Sequence, residues 1–319
     1  MPGRETFSYD IGMRTRFRGL SRRQGMLLSG PAGWGEWSPF LDYQGAELVP
    51  WLRAALEAAD DGWPDPVRDR VPVNCTVPAL GPAQAHLLAE RSGCATAKVK
   101  VAEPGQRLAD DLDRVEAVRA ALGPQGRIRV DANGAWDVDT AEAALRQLDR
   151  FDLEYAEQPC ASIEELAELR LRLARRGVDV PIAADESIRR AADPYRVAEL
   201  AGADIAVLKV QPLGGVRACL EIAERIGLPV VVSSALETSV GIRAGLALAA
   251  ALPELPYACG LNTVPLLADD LVCDPLIARA GAIEVREIRL DPGRLTAARA
   301  DSGTADFWQA RLVATEAIR

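Results

Sequence analysis

Histidine is almost absent from this chain of 319 residues; it occurs once, as His86. That scarcity excludes metal sites built on several histidines and removes the usual base of a Ser-His-Asp triad. His86 sits in an Ala/Leu-rich helical stretch and reads as an ordinary helix residue. Lysine is nearly as rare: of 37 basic residues, three are Lys (Lys98, Lys100, Lys209) and the rest are Arg. The longest apolar run, Ala244 to Leu252, is too short to span a bilayer. The first twenty residues lack the apolar core of a secretory signal. Six cysteines (75, 94, 160, 219, 259, 273) show no C-x-x-C spacing, so a reduced, cytoplasmic protein is expected. Acidic residues number 46, the net charge is −9, and there is no basic tract, which argues against a nucleic-acid partner.

What is present is regular. Apolar, often β-branched runs start near Val71, Ala97, Ile128, Glu154, Pro181, Asp204, Pro229 and Pro256. Helical stretches lie between them. Leu108, Leu112, Val115, Val118 and Leu122, for example, keep a 3.6-residue period. Strand and helix alternating eight times predict an α/β fold, a (β/α)8-type barrel. A doubly wound open sheet is the alternative, but no G-x-G-x-x-G follows a strand. Residues 1–70 differ, with Gly-rich turns and four of the six tryptophans (34, 37, 51, 63), and are expected to form a small α+β capping domain. The barrel is expected over 71–261. Residues 262–319, with a strand-like Ile283 to Leu290 and a polar helix, are expected to pack back on the cap.

In such barrels chemistry occurs at the C-terminal ends of the strands. Those ends read Lys98-Val99-Lys100, Arg129-Val130-Asp131, Glu157, Asp185, Lys209 and Ser233-Ser234. Three carboxylates on consecutive strands thus lie between a lysine pair and a lone lysine. Oxygen-only ligands on rigid strands suit Mg²⁺, with Mn²⁺ a possible substitute. Arginine is never deprotonated, so a site that needs a proton-transferring amine must keep Lys. Period-2 alternation puts Lys98 and Lys100 on one face, and Lys209 approaches from the opposite side. A carboxylate substrate held between them would have its α-proton flanked by two amines, whose pKa neighbouring cations lower. Arg129 is read as an inward support and Asn133 as a residue reaching the site; both are expected near the substrate.

The set KVK (98–100), RVDANGAW (129–136), EYAEQP (154–159), ADES (184–187) and VLKVQPLGG (207–215) resembles the enolase superfamily, in its muconate lactonizing subgroup. GWGEWSP (33–39) resembles that family's N-terminal capping domain. The resemblance implies that Asp131, Glu157 and Asp185 bind Mg²⁺. It implies that Lys100 is the base, Lys98 its electrostatic partner and Lys209 the opposite lysine. The short N-terminal segment and the SSALETSVGI run (233–242) resemble one branch of the subgroup. Its members dehydrate a succinyl-bearing cyclohexadiene carboxylate to an aromatic product in menaquinone biosynthesis. N-acylamino acid racemases and dipeptide epimerases share the scaffold, and Glu237 would be the acidic partner that a dipeptide's ammonium needs. A Schiff-base aldolase using Lys209 is a more distant alternative. Residues 12–21 fall where the family has a mobile capping loop, and Arg14, Arg16, Arg18 and Arg22 lie in or beside that stretch, suited to attracting a dianion. Thr238 or Ser239 is expected to cap a helix whose free N–H groups face the barrel mouth, placing a substrate carboxylate or carbonyl near Ser233 and Ser234. The expected partner is therefore a small-molecule carboxylate, without membrane or nucleic acid; the sequence leaves oligomeric state open.

Overall fold

The computed structural model describes residues 3–190 and 192–319. The N-terminal sheet is antiparallel, with strands β1 (Thr6–Phe17), β2 (Leu20–Gly30) and β3 (Gly33–Trp37) in that order. The helix Leu48–Leu56 lies across it. Gly35 permits that closeness, since a Cβ there would sit 1.9 Å from the Ala55 carbonyl oxygen. Trp37, Trp51, Phe40 and Tyr43 fill the space between sheet and helix.

Eight strands follow: β4 (Arg70–Val77), β5 (Thr96–Lys100), β6 (Arg127–Asp131), β7 (Leu153–Glu157), β8 (Ile182–Ala184), β9 (Ile205–Lys209), β10 (Val230–Ser233) and β11 (Cys259–Asn262). Each pairs in parallel with the next, and β11 returns to β4, so the sheet closes into the expected barrel. Sequence signals fix the intervening helices. Ile163–Arg176 starts at Ser162, whose hydroxyl accepts from the Glu165 N–H while the Glu165 carboxylate accepts from the Ser162 N–H. It stops at Gly177, with φ 68°. Tyr155, Ala183, Ile205, Val207 and Val231 plug the interior beneath the strand ends.

The segment after Asn262 divides. Of the strand expected over 283–290, Ile283 and Glu284 pair antiparallel with β4 as part of Ala282–Glu284 (β12), on the barrel rather than the cap, and Leu290 makes an isolated antiparallel bridge to Val272. The helix Ser302–Ile318 does lie on the cap, where Trp308 meets Trp37 edge-on at 5.5 Å.

One buried carboxylate ties cap to barrel. Glu36, on β3, accepts from Tyr9 Oη at 2.7 Å, from Ser38 Oγ at 2.7 Å, from the Thr238 N–H at 3.1 Å and from the Gly241 N–H at 3.0 Å. Removing it strands several buried donors at about 1–3 kcal/mol each. Glu36→Ala is therefore expected to lose roughly 3–5 kcal/mol, and Glu36→Gln less. Urea unfolding of both variants against the native chain checks this; an unchanged midpoint for Glu36→Ala would contradict it.

Candidate active site

Lys100, Asp131 and Glu157 stand side by side across β5, β6 and β7, because Lys100 pairs in register with Asp131 and Asp131 with Glu157. Asp185 follows β8 by one residue. It occupies the N-cap position of the short helix Glu186–Arg189, yet its side chain makes no cap bond. It turns into the barrel instead. Lys209 ends β9 in register with Ser233. All six ionisable groups are buried.

The charges interlock. Lys98 Nζ donates to Glu157 at 2.7 Å and lies 3.0 Å from Asp131. Lys100 Nζ donates to Asp131 at 2.7 Å and to the side-chain Oδ1 of Asn133. Lys209 Nζ donates to one oxygen of Asp185 at 2.6 Å, and Arg189 Nε to the other at 2.9 Å. Position splits the lysines into two kinds. Burial alone would lower Lys98, but Asp131 and Glu157 together hold it above the ordinary lysine value. Burial lowers Lys100, and Lys98 and Arg18 add to that against the pull of Asp131. Lys209 is lowered as well, by burial and by Arg189, Lys98 and Arg18. A permanently charged lysine thus stands next to one whose amine loses its proton more readily than usual.

The carboxylates differ too. Burial opposes ionisation of Asp131, but Lys100 and Lys98 hold it well below the usual carboxylate range. Burial, with help from Asp131 and Asp185 and against Lys98, pushes Glu157 up to about 7. An all-oxygen set of three carboxylates on rigid strand ends fits a hard divalent cation. Among the described residues no three of these groups converge tightly enough to grip an ion directly. The lysine ammoniums stand between them, and a cation would take over that bridging role.

The remaining expected site residues fare differently. Ser233 lines the cavity above the lysines; Ser234 also borders it but shares a hydrogen bond with Thr263 at 2.9 Å. Asn133, at φ 48°, bridges Lys100 and Glu186. Arg129 is fully buried, and its partners are Glu154, Asn74 and the Ala258 carbonyl, with Tyr155 beneath its guanidinium at 4.7 Å. It supports the floor of the barrel and offers nothing to a substrate, because the strand pleat that points it inward places it one layer below Asp131. Thr238 caps the helix Ser239–Ala251. That helix start does not receive a substrate anion, however: Glu36 already accepts from Thr238 and Gly241, and Asp270 accepts from the Ser239 N–H at 3.0 Å. Glu237 is buried too, accepting from the Ala235 N–H at 2.7 Å, and is absent from the cavity lining. It cannot meet a substrate ammonium.

Sequence reasoning missed four supports. Arg189 anchors Asp185 and donates to Tyr43 of the cap. Gln158 accepts from the Asp185 N–H at 2.9 Å and fixes that turn. Arg23, buried on β2, donates to the carbonyls of Ala235 and Leu236 in the loop after β10. Glu36 is the fourth. Gln158 lies inside EYAEQP, Glu36 inside GWGEWSP, and Arg189 four residues from Asp185, so these three carried a local signal; the partners of Arg23 and Glu36 across the cap–barrel boundary are far away in sequence.

The family described as enolase C-terminal domain-like matches residues 82–294, and the enolase N-terminal domain-like family matches 8–59. The chain is 60% identical over 310 residues to an o-succinylbenzoate synthase of Thermobifida fusca (strain YX), across 97% of this chain and 95% of that one. It is 54% identical over 306 residues to an o-succinylbenzoate synthase of Mycobacterium tuberculosis (strain ATCC 25177 / H37Ra), across 95% and 91%. Among solved structures, a muconate lactonizing enzyme from Pseudomonas fluorescens superposes with a TM-score of 0.78 at 22% identity, over 93% of this chain and 98% of that one. An N-succinyl Arg/Lys racemase from Bacillus cereus ATCC 14579 gives 0.78 at 20% identity, over 93% and 97%. These two likenesses concern the fold alone.

Glu237 generates a test of the loop after β10. Burial, reinforced by Glu36, pushes its carboxyl from 4.5 up to about 7. An acid with a raised folded-state pKa binds its proton more tightly when folded, so stability falls as pH rises from the unfolded to the folded value. Glu237→Gln removes that slope. The variant is expected to gain on the native chain by about 2–3 kcal/mol between pH 4.5 and 7, read from urea unfolding at several pH values. A stability difference that stays constant over that window would contradict the buried, proton-holding Glu237.

Proposed function

The chain belongs to the enolase superfamily, and on that premise we propose that it catalyses the o-succinylbenzoate synthase reaction: dehydration of 2-succinyl-6-hydroxy-2,4-cyclohexadiene-1-carboxylate to 2-succinylbenzoate, a step of menaquinone biosynthesis. Full-length likeness to two synthases carries the substrate. The single structural observation that supports the chemistry is the split lysine pair, Lys98 locked as a cation and Lys100 lowered, next to three buried carboxylates.

Asp131, Glu157 and Asp185 would hold Mg²⁺, or Mn²⁺ in its place. When bound, the ion supplies positive charge to the substrate's ring carboxylate as electron density moves onto it. Lys98, already paired on two sides, keeps the charge near that carboxylate constant. The Lys100 amine takes the α-proton. The C–H bonding pair becomes a ring double bond, the C–O bond to the hydroxyl breaks, and Lys100 returns its proton to the departing oxygen, so that water leaves. Lys209, facing from β9, stabilises the negative charge that builds up between the two events. The ring becomes aromatic, and Lys100 ends in the protonation state in which it began.

The dipeptide epimerase reading is not favoured by the geometry, because Glu237 is absent from the cavity lining and accepts from the Ala235 N–H; the racemase reading has only a likeness in fold at 20% identity behind it. The aldolase reading uses no metal and leaves the three buried strand-end carboxylates beside Lys209 without a role. No described helix is long and apolar enough to cross a membrane.

The test is loss of diene absorbance when purified chain and Mg²⁺ meet the hydroxycyclohexadiene substrate. Activity is expected to vanish in EDTA and to return with Mg²⁺ or Mn²⁺. Asp185→Asn is expected to fold but not turn over. Lys100→Arg keeps the charge and loses the base, so it is expected to drop by about 10²–10⁴-fold or more; Lys209→Arg is expected to be nearly inactive. Parallel incubation of L,L-dipeptides and N-succinyl amino acids in D₂O reads α-deuterium by NMR. Exchange there with an untouched diene would overturn the synthase reading, and near-native turnover by Lys100→Arg would overturn the assignment of the base.

A further inference from the structure

Glu57 is a buried carboxylate that the proposed mechanism does not use. It opens one π-helical turn, Glu57–Asp61, at the end of the cap helix Leu48–Leu56. Its hydrogen-bond partners lie on the barrel. The Val216 N–H donates to one of its oxygens at 2.5 Å. The Arg217 N–H, at 3.1 Å, and Arg217 Nη1, at 3.0 Å, donate to the other. Val216 and Arg217 open the helix Val216–Ile226, whose N-cap residue, Gly215, has no side chain to satisfy them. The cap thus supplies the missing acceptor, and its negative charge suits the positive end of that helix. Gly215 makes room for it: φ there is 124°, and a Cβ would sit 2.3 Å from the nearer Glu57 oxygen.

We propose that Glu57 is a positioning residue for the reaction: by pinning the helix start that follows β9, it fixes the main chain that carries Lys209, and so the place of that ammonium in the cavity. This rests on the proposed role of Lys209 and adds the support on which that role depends. The path between them is short. Lys209 ends β9, the helix Val210–Leu213 follows it at once, and Gly214 and Gly215 join that helix to Val216. The Gly215 N–H donates to the Val210 carbonyl at 3.0 Å, which ties the far end of the turn to the residue after Lys209. The cap grips the middle as well. The Ser38 N–H donates to Gln211 Oε1 at 3.1 Å, and Gln211 Nε2 donates to Ser38 Oγ at 3.3 Å.

Strand pairing shows why Lys209 needs this help. Lys98 sits inside the ladder, between Thr76 of β4 and Arg129 of β6. Lys209 is paired on one side only, with Ser233 of β10. On the other side β8 stops at Ala184, which stands opposite Ala206, so the ladder ends before the lysine. The sheet therefore leaves one flank of Lys209 open, and the turn after it contains two glycines with positive φ, Gly214 and Gly215. Such a turn holds one conformation only when its surroundings impose it. Glu57 and Gln211 impose it from the cap. A charge that must meet a developing anion gains from being held in place beforehand rather than settling there during the reaction.

The experiment uses Glu57→Gln, which keeps the volume but turns an NH₂ towards one of the two backbone donors. Turnover of the hydroxycyclohexadiene substrate with Mg²⁺ is measured for the native chain, Glu57→Gln, Arg217→Ala, Lys209→Arg, and Glu57→Gln combined with Lys209→Arg. The slow variants are followed in single turnover with the chain in excess, and melting curves establish folding. Glu57→Gln is expected to lose about ten- to hundredfold in kcat, the cost of a misplaced group, with KM within about twofold. Arg217→Ala spares both backbone bonds to Glu57 and is expected to stay within about twofold in kcat. In the Lys209→Arg chain, Glu57→Gln is expected to cost less than about twofold more, because the group it positions is already gone. Amide deuterium uptake, read by mass spectrometry, is expected to quicken over residues 210–217 in Glu57→Gln and to stay unchanged over β5 to β7. Native kcat in Glu57→Gln, or the same fold loss with and without Lys209, overturns the positioning role while the synthase reading stands. Unchanged uptake over 210–217 overturns the clamp itself. A native chain that leaves the diene untouched ends the proposed reaction, and this role with it.

Discussion

Burying Asp131, Glu157 and Asp185 together with Lys98, Lys100 and Lys209 costs desolvation energy that only close, complementary pairing offsets. The pairing exists because strand register sets Lys100, Asp131 and Glu157 abreast and brings Asp185 to Lys209. A single-residue slip in any of these strands would turn its charge into the apolar shell around the barrel. The closed barrel serves this cluster. It fixes six charged groups in a water-poor space, where each one decides the protonation state of its neighbours. The different fates of Lys98 and Lys100, two residues apart on one strand, come from this arrangement alone: one amine has two carboxylates, while the other shares its carboxylate and faces further cations.

The cap is part of the same device. Glu36 and Arg23 hold the loop after β10 from the cap side, through the Thr238 and Gly241 N–H groups and the Ala235 and Leu236 carbonyls. Tyr43 reaches Asp185 through Arg189. The hairpin tip with Phe17 and Arg18 covers what remains open. The cap thus has a fixed part, buried and hydrogen-bonded, and a tip whose contacts are loose. Such a division of labour fits a site that must stay rigid under a substrate and still admit it.

How much of this was legible in the sequence follows from how far apart the interacting residues lie. The barrel was legible because each βα unit is local, and the eight apolar runs fall on the eight observed strands. The strand-end charges could be read because period-2 alternation and the unit length place them without further information. Thr238 as a helix cap is also a local fact, and it is correct. The helix start behind it was misread as vacant because its occupant, Glu36, lies about two hundred residues away. Arg129 is the inward support that alternation predicts, but alternation does not show at which height its guanidinium finds partners, and those partners lie below the cavity. The strand expected over 283–290 is split: Ala282–Glu284 pairs with β4, and Leu290 alone bridges Val272. That Arg18, of four nearby arginines, borders the cavity is decided by a tight turn and by the position of Phe40, neither of which composition reveals.

The central claim is that the three carboxylates exchange lysine ammoniums for a divalent cation and so release Lys100 to act as a base. The most direct test is an anomalous difference map from crystals grown with Mn²⁺ and 2-succinylbenzoate. The account predicts one peak bounded by Asp131, Glu157 and Asp185, with Lys98 and Lys100 on one side of the ligand and Lys209 on the other. A peak elsewhere, or none in crystals of active protein, would contradict it.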